Sequence, residues 1–191
     1  MNSLRQSESF ACPISLREFQ AGDERAFARL NQAWIEKYFR LEENDRATLE
    51  NPRKHILENG GQIFVAIAGT YVTGCVALVR IDNRTYEVVK MAVEEPFQRR
   101  GVGGTLMTAA IEWARNHGAR RLWLETNHIL APAIKLYESC GFRHLPRESW
   151  VVSPYQRSDA QMELLLDDEA ASRTVTEAPL PNTPPRQSDF G

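Results

Sequence analysis

The chain has 191 residues, with 23 Lys and Arg against 25 Asp and Glu for a formal charge of −2, and 42% of its residues are hydrophobic. That length suits one compact domain with some excess, and the apolar share is enough to build a core. The balanced charge excludes an overall pull toward nucleic acid or an anionic membrane, and no apolar run approaches the ~20 residues that cross a bilayer.

The N-terminal segment MNSLRQSESFACPISL lacks the apolar stretch of a signal peptide. Cys12, Cys75 and Cys140 are an odd number without metal or disulfide spacing, so a reducing, cytoplasmic compartment is expected. Residues 1–12 read as a flexible lead-in. ISLREF alternates and predicts a first strand. In AGDERAFARLNQAWIEKYF, Phe27, Leu30, Trp34 and Tyr38 fall at helical spacing, with Asp23 placed to cap the helix. EENDRATLENPRKHILENG predicts one or two short helices broken near Pro52 and ended by Gly60.

QIFVAIAGTYVTGCVALVRI holds two β-rich runs around Gly69 and Thr70, hence a hairpin. TYEVVKMAV is a third strand, whose broken alternation at Val88 and Val89 fits burial on both faces or a bulge. Val102, Leu106, Ala109, Ala110 and Trp113 then mark one helix face, with Gly118 as its left-handed cap. RRLWLET is a strand, and APAIKLYESCGF a short helix with Pro132 in its first turn. FRHL and AQMELLL are two last strands. This order predicts one mixed α/β domain over residues 13–167, built on a mainly antiparallel sheet of six to seven strands. From 168 to 191 the chain is rich in proline and small polar residues, too poor in apolar ones to offset its ordering entropy, and is expected to be disordered.

The stretch PFQRRGVGGTLM carries the first functional signal. A helix N-terminus has free backbone N–H groups and a partial positive charge. Glycines let a large anion approach that backbone, so a strand, a Gly-rich turn and a helix form an anion seat. Arg99 and Arg100 add charge beside it, and a pyrophosphate between them would relieve their repulsion. No Gly-Lys-Ser/Thr follows, so this is not a Walker loop, and the third glycine of a Rossmann fingerprint is missing.

MAVEEPFQRRGVGGTLMTAAIEWARNHGARRLWLETN followed by PAIKLYESCGF resembles the GNAT superfamily of acyl-CoA-dependent N-acetyltransferases. Gln98, Gly101 and Gly103 fill the family's Gln/Arg-x-x-Gly-x-Gly/Ala loop. Ala133, Leu136, Tyr137, Gly141 and Phe142 fill its second element. The likeness spans roughly residues 14–166, and further short matches resemble a subgroup of small members, some fused to MarR-type DNA-binding domains; no helix-turn-helix is visible here.

The resemblance implies helices on both faces of the sheet and a splayed central strand pair. It implies acetyl-CoA as cosubstrate, its pyrophosphate held by backbone amides of Arg99, Arg100, Gly101, Val102, Gly103, Gly104 and Thr105. The pantetheine arm would lie along Met91, Ala92 and Val93, pairing like an added strand. Ala133 would lie against the cofactor and the Tyr137 hydroxyl would point at the thioester sulfur. Many relatives carry an asparagine where this chain has Leu130, and Asn127 is the nearby substitute.

The implied reaction is direct acetyl transfer to a primary amine of a small molecule or peptide, with no nucleic acid, membrane or metal involved; a homodimer is left open. A non-catalytic acyl-CoA sensor with the same fold is the alternative reading. An amine must shed a proton to attack, and Glu87 is the first candidate base, Glu125 the second. A backbone N–H near Val93 offers an oxyanion donor. A phenol of ordinary pKa lies roughly 1.5 units above a thiol, so proton transfer from Tyr137 to the leaving sulfur costs only about 2 kcal/mol. Cys140 reads as filler of an apolar slot, and His55, His117, His128 and His144 lack metal-ligand spacing. Trp34 and Tyr38 suit the core or the wall of an acceptor pocket, the core being the simpler reading; Tyr155 and Arg157 in SPYQR are placed to close over an acceptor.

Overall fold

The computed structural model describes residues 13–166. The expected flexible lead-in over 1–12 and the disordered tail over 168–191 lie outside the described residues. Strand β1 (Ile14–Glu18) is followed by α1 (Glu24–Tyr38), α2 (Glu43–Glu50) and a π-helical turn (Arg53–Leu57). The hairpin β2 (Gln62–Ala68) and β3 (Tyr71–Arg80) leads into β4 (Thr85–Val93), then α3 (Val102–Asn116) and β5 (Arg121–Thr126). Helix α4 (Ala131–Ser139), β6 (Arg143–His144) and β7 (Ala160–Leu165) complete it.

The strands form one seven-stranded sheet in the order β1-β2-β3-β4-β5-β7-β6, and β4–β5 is its parallel pair. Two apolar layers cover it. On one face α3 buries Val102, Leu106, Met107, Ala110 and Ala114 against Val76, Leu78, Val88, Leu122 and Leu124, and α4 adds Ile134 and Tyr137. On the other, Phe27 and Leu30 of α1 and Leu49 of α2 pack on Ile63, Val65, Cys75, Ala77 and Ala92. Asp23 stands at the start of α1 but does not cap it with its side chain. Its carboxylate instead receives both Arg17 guanidinium bonds, at 2.6 and 2.9 Å, and the Gln20 N–H. An ion pair of that geometry outcompetes a cap.

Two departures from regular pairing shape the centre of the sheet. In β4, Ala92 pairs with Cys75 and Val89 with Ala77, so Lys90 and Met91 together oppose Val76. This bulge, with Lys90 at φ 51°, explains the broken alternation and turns Lys90 toward α2. Strands β4 and β5 pair only over Thr85–Glu87 and Arg121–Trp123 and then part. Among the described residues, no helix is long and apolar enough to cross a membrane.

Candidate active site

Parting of β4 from β5 opens a cavity of about 510 Å³. Along one side run Val88 to Val93 of β4; on the other stand Glu125 and Thr126 of β5, then Pro132, Ala133, Leu136 and Tyr137 of α4. The Gly-rich turn contributes to its wall, as do Trp34, Tyr38 and Phe39 from the end of α1. Trp34 packs on the core and lines the cleft as well. Tyr38 is 48% exposed, a correction to the simpler core reading, because the last turn of α1 runs past the packed sheet.

At the mouth of α3, Gly101 has φ 81° and Arg99 φ 57°. Among the described residues, no protein group accepts a hydrogen bond from the backbone N–H of Arg99, Arg100, Gly101, Val102, Gly103 or Gly104. The Thr105 amide differs: it donates to the Gly101 carbonyl at 3.0 Å as the first helical bond, and the Thr105 hydroxyl does the same at 3.1 Å. The run of open donors therefore ends one residue earlier than the sequence suggested. A Cβ at Gly101 or Gly104 would meet open space, whereas one at Gly103 would lie 3.1 Å from Leu136 Cδ2 across the cleft. Open amides in a left-handed turn at a helix start are a fitting seat for a diphosphate.

The arginines divide. Arg99 lines the cleft, but Arg100 stacks 5.7 Å over the Phe97 ring and lines a separate cavity of about 140 Å³ with Ile14, Leu16, Val102 and Thr105. The side chains thus do not both flank the seat, since the turn points consecutive residues to opposite sides. Gln98 lines the cleft while its amide donates to the Val93 carbonyl at 2.7 Å, tying the turn to the end of β4. Because Glu94 N–H donates to Thr73 on β3, ladder alternation turns the Val93 N–H the other way, into the gap beside Met91 and Ala92. Asn127 lines the cleft but donates to the Arg157 carbonyl at 2.7 Å and accepts from Ile129 N–H at 2.9 Å. Its amide fastens two loops, with one N–H and one oxygen lone pair already used.

Tyr137 is half-buried, packs on Phe142 and lines the cleft, and its hydroxyl bonds to no protein group among the described residues. Desolvation, with the nearby Cys140 adding, pushes this phenol up to about 12. Proton transfer to an ordinary thiol would then cost roughly 5 kcal/mol rather than 2. That mismatch favours hydrogen-bond donation by Tyr137 over full proton transfer.

Glu87 and Glu125 point to the α1/α2 side of the sheet, on neighbouring strands where these begin to part. Burial, and then the charge of Glu125, push Glu87 up to about 7 from an ordinary 4.5. Glu87 has no hydrogen-bond or ion-pair partner among the described residues. Burial also raises Glu125, against bonds from the Ser153 hydroxyl at 2.7 Å and the Gln161 amide at 3.1 Å.

Sequence reasoning missed the network behind them. Asp45 of α2, with a fully buried side chain, receives Lys90 Nζ at 2.6 Å and both Arg157 nitrogens at 2.7 and 2.9 Å. Arg157 also pairs with Glu42 at 3.0 Å, and the Tyr155 hydroxyl lies 3.2 Å from Lys90 Nζ. Burial pushes Asp45 up, but its two cations outweigh this and hold it below its usual value. A lysine amid the apolar residues of TYEVVKMAV was the available signal; Asp45, in a mainly hydrophilic helix, gave none. The Ser158 hydroxyl is buried, in a residue of the cleft wall, with no partner among the described residues. No group of three His, Cys, Asp or Glu side chains among the described residues could hold a metal ion.

The family model for the acetyltransferase (GNAT) family matches residues 24–142. An uncharacterized N-acetyltransferase of Bacillus subtilis is 33% identical over 102 residues, 52% of this chain and 66% of that protein. The N-acetylaspartate synthetase of Homo sapiens is 32% identical over 96 residues, 50% of this chain and 32% of its own. The chain thus spans between a third and two thirds of the length of these relatives. Among solved structures, a GNAT-family acetyltransferase from Staphylococcus aureus superposes with a TM-score of 0.75 at 20% identity, covering 81% of this chain and 100% of that one. A Salmonella typhimurium structure solved with acetyl-CoA as its cofactor gives 0.63 at 19% identity, covering 81% and 95%.

Proposed function

Because the chain belongs to the acetyltransferase (GNAT) family, we propose that it transfers an acetyl group from acetyl-CoA to a primary amine of a small molecule or peptide. The observation that carries this reading is the run of N–H groups from Arg99 to Gly104 without a partner among the described residues, of which Arg99, Gly101, Gly103 and Gly104 line the same cleft as Glu87 and Tyr137. Those amides would hold the diphosphate, and the unpaired edge of β4 at Met91, Ala92 and Val93, faced by Ala133 and Leu136, would hold the pantetheine arm. Acetyl-CoA supplies an activated thioester.

Glu87 is the base. An alkylammonium lies about 3 units above neutral pH, roughly 4 kcal/mol of proton affinity to overcome. A carboxylate at about 7 narrows that mismatch more than an ordinary one while still ionising at neutral pH. The Val93 N–H, fixed by the β3–β4 ladder, donates to the oxygen where negative charge grows. Tyr137 steadies the departing sulfur by hydrogen bond.

The direct test is thiol release from acetyl-CoA in the presence of alkylamines, amino acids and peptide N-termini, alongside a CoA titration by calorimetry. Amine-dependent thiol release with measurable CoA affinity supports the reading. CoA affinity with no amine-dependent release removes the catalytic assignment, and absence of CoA binding removes the seat as well.

A further inference from the structure

The acceptor end of the cleft carries an uneven charge that the two buried cations hide. Lys90 and Arg157 line it, which at first suggests recognition of a carboxylate-bearing acceptor. Both are already engaged. Asp45 takes the Lys90 ammonium and both terminal nitrogens of Arg157, and Glu42 takes Arg157 a second time. The side chains of Lys90 and Arg157 are 5% and 14% exposed. The Tyr155 ring covers both, with its centroid 5.1 Å from Lys90 Nζ and 4.3 Å from the Arg157 guanidinium. Glu42 and Asp45 therefore balance Lys90 and Arg157, charge for charge.

What remains facing the cavity is Glu87, which has no hydrogen-bond partner among the described residues and feels Lys90 only through space, and Glu125, whose hydrogen bonds come from the neutral Ser153 and Gln161 with the Arg157 charge nearby. Trp34, Tyr38 and Phe39 wall the same space. Aromatic faces beside carboxylates suit an alkyl chain that ends in an ammonium. An acceptor bearing its own carboxylate would meet the Glu125 and Glu87 carboxyls, with Lys90 and Arg157 already engaged; Arg99, the other cation lining the cleft, stands in the Gly-rich turn.

Resting on the acetyl-transfer reading, we propose that the acceptor is a small alkyl diamine: one amine is deprotonated at Glu87 and attacks, the second stays an ammonium and pairs with Glu125, and Asp45 sets this preference by occupying Lys90 and Arg157. In the transfer, Glu87 takes the first proton of the ammonium, the neutral nitrogen forms its bond to the acetyl carbon, the carbon–sulfur bond breaks with its electron pair on the sulfur, and the nitrogen's second proton goes to that thiolate, giving the amide and free CoA thiol. Asp45 touches neither reactant, so it is a specificity-positioning residue.

The test compares thiol release with 1,4-diaminobutane, n-butylamine and aspartate. For the wild type, kcat/KM for the diamine is expected to exceed that for the monoamine at least tenfold, with aspartate lower still. Glu125→Gln should bring the diamine-to-monoamine ratio close to one, chiefly through KM. Asp45→Asn should free Lys90 and Arg157 and shift the diamine-to-aspartate ratio at least tenfold toward aspartate. Calorimetric titration of 1,4-diaminobutane with free CoA present should show the same loss of affinity in Glu125→Gln, independent of turnover. Faster turnover of aspartate, of n-butylamine or of a peptide N-terminus by the wild type would overturn the diamine assignment and leave acetyl transfer standing. An unchanged diamine-to-monoamine ratio in Glu125→Gln would do the same. Thiol release with no amine at all would overturn both.

Discussion

Replacing Glu87 by glutamine separates the energetic cost of this carboxylate from its chemical use. Burial, and secondarily the charge of Glu125, move its folded pKa from 4.5 to about 7. Keeping Glu87 ionised in the folded protein therefore costs about 3 kcal/mol. Below pH 4.5 the group is neutral whether folded or unfolded, and glutamine mimics it. Between 4.5 and 7 the folded chain retains a proton that the unfolded chain has released, so wild-type stability falls as pH rises through that window. Above 7 the full cost is present. Denaturant melts of wild type and Glu87→Gln across pH 4 to 8 should give curves that coincide at the acid end. They should separate to about 3 kcal/mol in favour of the variant at the alkaline end. In the same range, wild-type kcat/KM should rise with pH to a plateau with an apparent pKa near 7, and the variant should lose roughly 10²-fold or more with that limb gone. A stability difference that is flat with pH would refute the burial argument, and an intact acid limb in the variant would refute Glu87 as the base.

Gly103→Val should weaken CoA at least tenfold by calorimetry, because its Cβ would crowd Leu136 at 3.1 Å across the cleft. Gly101→Val should also lose affinity, through its φ of 81° and without any clash, and a crystal structure of it should show the turn reshaped. Tyr137→Phe should lower kcat roughly tenfold or more while CoA affinity stays within about twofold, since only the hydroxyl of this cleft-lining residue is removed. Asp45→Asn should destabilise the fold by about 3–5 kcal/mol at neutral pH, as two buried cations lose their shared anion. Because the folded pKa of Asp45 lies below its usual value, that difference should hold above pH 4 and shrink as pH falls through the folded value.

Local chemistry along the chain determined the order of elements and the cofactor end of the cleft. The alternation in ISLREF, the hairpin around Gly69 and the 3.6-residue spacing of Val102, Leu106 and Ala110 each give a secondary structure from a few neighbours. Gly101 and Gly103 sit within a few residues of the helix start they serve, so the anion seat is written contiguously. The acceptor end is assembled differently. Asp45, Lys90 and Arg157 are separated by 45 and 112 positions counted from Asp45, and their pairing depends on a bulge in β4 and a loop laid against α2. No local pattern signals that a lysine's charge will be cancelled by a carboxylate from another element. Nor could it reveal that Arg100 turns from the cleft, that the Asn127 amide is taken by Arg157, or that burial raises Tyr137. Such properties belong to the electrostatic environment, which arises when distant segments exclude water together. The sequence thus settled where a helix start would leave open N–H donors, whereas the net charge on the other side of the cleft was decided only in three dimensions.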